Sequence, residues 1–147
     1  MHPLDPHAAR LVVTFACWNV FVHYGLTKQW ARDEGFSEAD AEEIAHWDMW
    51  TDRLFPGNRR KTKRFHFLRH GAAGCSEVYL DRAVRERRLG YLGIALHCVQ
   101  DAVGHGSLGH LFHLPSIDTW ARRSERVRLR TEDESRRLLR QYRRSAR

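Results

Sequence analysis

The chain has 147 residues, the size of one domain, with 42% apolar and 29% charged residues. That balance is ordinary for a globular protein, and no run approaches the roughly 18 consecutive apolar residues of a membrane span. The net charge of +7 resides in residues 119–147, where eleven arginines meet four acids, while residues 1–118 are neutral. The start, MHPLDPHAARLVV, has two prolines and an aspartate where a secretion signal needs a basic end and an apolar run, so a cytoplasmic location is the default expectation. Cys17, Cys75 and Cys98 show neither CxxC spacing nor an even count, so no disulfide framework is expected.

Taken in chain order, the pattern is helical throughout. Residues 8–33 lack proline and place Leu11, Val12, Phe15, Trp18, Val22 and Leu26 at helical spacing, with Gly35 as the stop. Ser37 caps a second helix, SEADAEEIAHWDMWTDRLF, which has acids in its first turn and is broken by Pro56-Gly57-Asn58. A charged loop, RRKTKR at 59–64, leads into FHFLRHGAAG. A third long helix is expected over about 76–104, with Leu89, Leu92, Leu96, Val99 and Val103 on one side. Gly90 and Gly93 inside it cost stability unless another backbone packs closely there. The stretch Gly104–Gly109 loosens that helix and Pro115 interrupts the chain. Thr131 with Glu134 forms a capping-box signature for a basic last helix, whose Leu138, Leu139 and Tyr142 make one apolar stripe. The expectation is a single all-α domain over 1–147, a bundle of four to five helices ending in a basic segment, 119–147.

Ten histidines stand out, six of them (His66, His70, His97, His105, His110, His113) within 48 residues. Histidine is the commonest metal ligand and the physiological acid and base. His97, Asp101 and His105 form HxxxDxxxH, three donors on one helical face over two turns. A nitrogen and oxygen set without thiolate suits zinc, and also iron or manganese, and helical bundles build such sites from facing helices. The other helices offer partners: His23 on an apolar helix, Asp48 and Asp52 one turn apart in HWDMWTD, and His66 between two phenylalanines. Singly, His23 reads as a core histidine and Asp52 as a surface acid beside Arg53; together they point to a site.

The order of these residues resembles the bacterial zinc-dependent phospholipase C family, whose superfamily includes fungal zinc-dependent single-strand nucleases, and especially short uncharacterised bacterial relatives. The resemblance runs through HYGLTKQWARDEGFS from His23, EEIAHWDMWTD ending at Asp52, FHF with His66, and LGIALHCVQDAVGHG with His97, Asp101 and His105. It implies a helical domain with zinc ions bridged by aspartate, which produce hydroxide near neutral pH and hold a phosphodiester for in-line attack. It further implies a core of Asp52, His66, His97 and Asp101 with His23 beside it. His105 would help hold a further metal, with His110 or His113 as its neighbour. Two features of the secreted phospholipases have no counterpart: the ligating N-terminal tryptophan and a late His-xxx-Glu pair, for which only His110, His113 and Asp118 stand in. One or two ions per chain are therefore expected, and phospholipid is not the expected substrate.

Other motifs are set aside on context. Leu68-Arg69-His70-Gly71 spells the LRHG of histidine phosphatases, but it lies mid-chain in a helical protein, leaving His70 as a reserve ligand to His66. Cys98 points about 100° away from His97 on a helix and reads as a small buried residue. Trp47 and Trp50 flank Asp48 and could wall a substrate pocket. Three functions follow. One is a metal-dependent hydrolase of a phosphoester or related small molecule, with Asp48 or Asp118 as base. Another is a non-catalytic metal-site module whose Arg-rich tail binds nucleic acid or an acidic partner. The last is a non-haem iron enzyme of small-molecule metabolism.

Overall fold

A computed structural model describes residues 19–56, 60–67, 70–105 and 120–146. Several positions weighed from the sequence lie outside these residues: Leu11, Val12, Phe15, Cys17, Trp18, Leu68, Arg69, His110, His113, Pro115 and Asp118. Among the described residues the chain is all-α, with five helices and no strand. A π-helical segment, Asn19–Leu26, runs into α1 (Thr27–Asp33). Then follow α2 (Glu38–Leu54), a 3-10 turn at Lys63–Phe65, α3 (Ala72–Glu86) and α4 (Leu89–His105), and finally a turn at Trp120–Arg122 and α5 (Glu125–Ser145). No described helix is long and apolar enough to cross a membrane.

The punctuation between α1 and α2 is as the sequence reads. Gly35 takes the left-handed conformation (φ +86°) that ends a helix, and the Ser37 side chain accepts from the Asp40 amide at 3.1 Å. Two boundaries differ. The single helix expected over 76–104 is two helices, because Arg87 turns left-handed (φ 51°) and α4 runs back along α3. The pairing of Cys75 with Cys98 and of Tyr79 with Tyr91 shows the antiparallel register. Burying Leu80 and Ala83 against Leu92, Ala95 and Leu96 outweighs the strain of a non-glycine residue at that turn. The last helix starts at Glu125, capped by Ser124, not at Thr131; the Thr131 hydroxyl instead donates to the Val127 carbonyl inside the helix, at 2.8 Å.

The centre of the molecule is α4. Every residue from Leu92 to Ala102 is buried, as befits a helix packed on all sides by α2, α3 and α5. The two glycines explain how α2 comes so close. A Cβ on Gly93 would lie 2.5 Å from the Ile44 carbonyl oxygen and 2.8 Å from the Asp48 amide, and one on Gly90 would meet the Trp47 ring at 2.9 Å. This approach sets Asp48 and Asp52 of α2 against His97 and Asp101 of α4. On the far side α5 closes the core with Leu138, Leu139 and Tyr142. Its arginines clasp the end of α1: Arg136 reaches Asp33 at 2.8 Å and Glu34 at 3.2 Å, Arg140 reaches Glu34 at 2.9 Å, and Arg143 donates to the Glu34 carbonyl.

Candidate metal centre

Four side chains from three elements converge at one point: Asp52 of α2, His66 after the 3-10 turn, and His97 and Asp101 of α4. Two backbone carbonyls set which ring nitrogens face inward. His97 Nδ1–H donates to the Asp48 carbonyl at 3.0 Å, so Nε2 points into the cluster. His66 Nε2–H donates to the Phe55 carbonyl, which turns Nδ1 inward. Those two nitrogens are 3.1 Å apart. Asp101 Oδ2 lies 2.8 Å from His66 and 3.4 Å from His97, and Asp52 Oδ1 lies 3.6 Å from each. Two neutral imidazole lone pairs and two carboxylate oxygens cannot share such a space without a positive charge among them. Four ligands held at about 2.0–2.1 Å around a tetrahedral ion lie roughly 3.3 Å apart, the middle of the observed range. The set therefore fits a cation. His66 and His97 are buried, and Asp52, about a third exposed, is the wettest member.

The second oxygen of Asp101 looks the other way. Asp101 Oδ1 is buried without a hydrogen bond and faces His23 Nε2 at 3.2 Å and His105 Nε2 at 3.5 Å. The tautomer of His23 follows from a chain of donors that starts at a carboxylate. Asp48 Oδ2 can only accept, and the Thr27 hydroxyl donates to it at 2.8 Å. Thr27 Oγ1 then accepts from Gln100 Nε2 at 2.8 Å, which aims Gln100 Oε1 at His23 Nδ1, 2.7 Å away. In this arrangement His23 Nδ1 donates and Nε2 is left for the site. His23, Asp48 and His97 also lie close enough to form a three-donor group, but the Nδ1 atoms nearest to Asp48 carry the hydrogen bonds just described.

The charge is finely set. Burial and the neighbouring His97 push His23 down, yet Asp48 and Asp101 outweigh them and raise it to about 9. Burial likewise opposes a proton on His97, but Asp101 and Asp52 raise it well above the ordinary range. Burial would lift Asp101, and the charges on His97 and His105 hold it well below the usual carboxylate range instead. Protons on histidine thus fill the role that a cation would take.

Of the residues singled out in the sequence, Asp52, His66, His97 and Asp101 come together, and His23 and His105 flank the other face of Asp101. His70 is exposed, with its ring beside Phe67, so His66 is the histidine of that segment inside the cluster. Asp48 is fully buried among His23, His97 and Thr27. Trp47 packs on the α4 glycines, and Trp50 stacks on His46 with Arg53 over its ring. His110, His113 and Asp118 lie outside the described residues. Gln100 and Thr27 escaped the sequence reading. The one available signal was that Gln100 is a polar amide between Val99 and Asp101, on a helix apolar on every side. Comparison with family models, curated proteins and solved structures gives no match.

Proposed function

We propose that the protein is a zinc-dependent hydrolase of a phosphoester. The observation that carries the metal is the four-atom convergence of Asp52, His66, His97 and Asp101 at ligand spacing. The hydrolase reading rests in addition on the resemblance to the zinc-dependent phospholipase C family. Asp52, His66, His97 and Asp101 would hold one ion. Asp101 Oδ1, His23 and His105 offer the start of a place for another. Zinc bound there supplies Lewis acidity: it acidifies water and polarises a phosphoryl oxygen. The chain's own residues do the rest. The Asp48 and Phe55 carbonyls fix the two ring tautomers, and the Thr27–Gln100 relay fixes the third. Asp48, fully buried, suits the orienting of His23 and His97 more than proton transfer with a substrate. Asp52, the most exposed ligand, marks the side from which substrate and water enter.

The test is metal content per chain in protein purified without chelator, alongside hydrolysis of a chromogenic phosphodiester, for wild type and for Asp101→Ala and His97→Ala. One or two zinc ions, lost together with hydrolysis in both variants, is the expected result. Zinc that is bound and lost on mutation, with no hydrolysis of any phosphoester in a broad screen, would refute the hydrolase reading and leave a structural site. Iron in its place would move the protein to oxygen chemistry.

A further inference from the structure

A second cluster lies on the α3 side of α4, apart from the main core: Phe65, Cys75, Ile94 and Cys98, fringed by Phe55, Tyr79 and Tyr91. Within it the Cys75 and Cys98 sulfurs are 2.8 Å apart, with Cys98 donating to Cys75. Both are free thiols, 23 positions apart in sequence and brought side by side by the turn at Arg87. Two cysteines used only as small apolar residues would pack against carbon. Here the two sulfurs also meet each other across two helices, at a separation within one ångström of an S–S bond length of about 2.05 Å.

We propose that Cys75 and Cys98 are a reversible dithiol–disulfide pair that takes a hydroperoxide as oxidant. Both residues are buried, Cys75 at 7% exposure and Cys98 at none, so Cys75, the nearer of the two to solvent, is assigned as the one that meets peroxide. Its sulfur attacks one peroxide oxygen, the O–O bond breaks, and Cys75 becomes a sulfenic acid as one water leaves. The Cys98 sulfur then attacks the Cys75 sulfur. The S–S bond forms, the S–O bond breaks, and the hydroxyl leaves with the Cys98 proton as a second water. Hydrogen peroxide is reduced to two waters and two thiols are oxidised to one disulfide. The product ties α3 to α4 across the turn that joins them, through sulfurs that already touch. The proposal is independent of the metal: no ligand atom of the centre takes part.

The test uses the full chain with Cys17→Ser, so that the pair supplies the remaining thiols. The protein is treated with hydrogen peroxide, quenched, denatured and alkylated with iodoacetamide, then weighed intact and mapped by peptide. The expected result is loss of two hydrogens and of both alkylation sites, a peptide joining Cys75 to Cys98, and full recovery with dithiothreitol. A Cys75→Ala variant of that chain should form no internal disulfide. The same peptide map on the wild-type chain serves if Cys17→Ser does not fold. Two thiols still open to alkylation after treatment that consumes free cysteine would overturn the proposal. So would oxygen adducts on the sulfurs without a linked peptide.

Discussion

The Gln100 carboxamide bonds to His23 and Thr27, not to the four-atom cluster, yet it decides what His23 offers to the site. Its carboxamide accepts from His23 Nδ1 and donates to Thr27, so both ends are fixed by partners that allow one orientation. Gln100→Leu keeps the volume and removes the relay. Loss of such an outer partner costs about 10- to 100-fold in metal affinity, which a competition titration against a chromogenic chelator would measure. His23 also dictates a pH response in metal-free protein. Its pKa rises from 6.5 unfolded to about 9 folded, so the proton stabilises the fold fully below pH 6.5, and that contribution is lost as pH rises through 9. Calorimetry on chelator-treated protein should show a melting temperature that falls over this window. Added zinc should remove most of the fall, since the ion takes over from the protons.

At the scale of the helices, Gly93 is what permits the site. With a methyl group there, α2 and α4 must part, because the neighbours in the way are backbone atoms of Ile44 and Asp48 and cannot swing aside. Gly93→Ala should cost about 1–3 kcal/mol by overpacking, seen as a lower denaturant midpoint, and should lower metal content as Asp52 draws back from His97. The same two helices show what the sequence made legible. The HxxxDxxxH spacing, the Ser37 cap and the Gly35 stop are local signals, and each stands where it was read. The turn at Arg87–Arg88 carries no glycine, proline or asparagine; it exists because α3 and α4 share an apolar face, which a single-helix pattern conceals. The start of α5 was misplaced because Thr131 and Glu134 spell a cap as well as Ser124 does, and only packing chooses between them. Gln100 and Thr27 were hidden because their role depends on residues more than 70 positions apart.

For the molecule as a whole, the basic tail is a structural wall as well as a charged surface. Leu138, Leu139 and Tyr142 are core, and Arg136, Arg140 and Arg143 hold the end of α1. The charge left to meet a polyanion belongs to exposed residues such as Arg122, Arg126, Arg130 and Arg144. Duplex DNA titrated across salt should therefore give a slope of log K against log salt clearly shallower than the roughly −10 of eleven free arginines. Fluorescence anisotropy would measure it.

The path of the chain between α2 and α3 carries one more consequence. Arg60, Lys61 and Arg64 are exposed, and the turn they belong to reaches the body through Phe65 and His66, the latter held by the Phe55 carbonyl and by the other donors of the cluster. Whatever cation sits among those donors is thus also the fastener of a run of tryptic sites. Stripping the ion should make that run the first place trypsin cuts, several-fold faster than in loaded protein, and restoring it should close the site again. The digestion pattern would then report how full the centre is in an unfractionated sample, where neither colour nor catalysis can be followed.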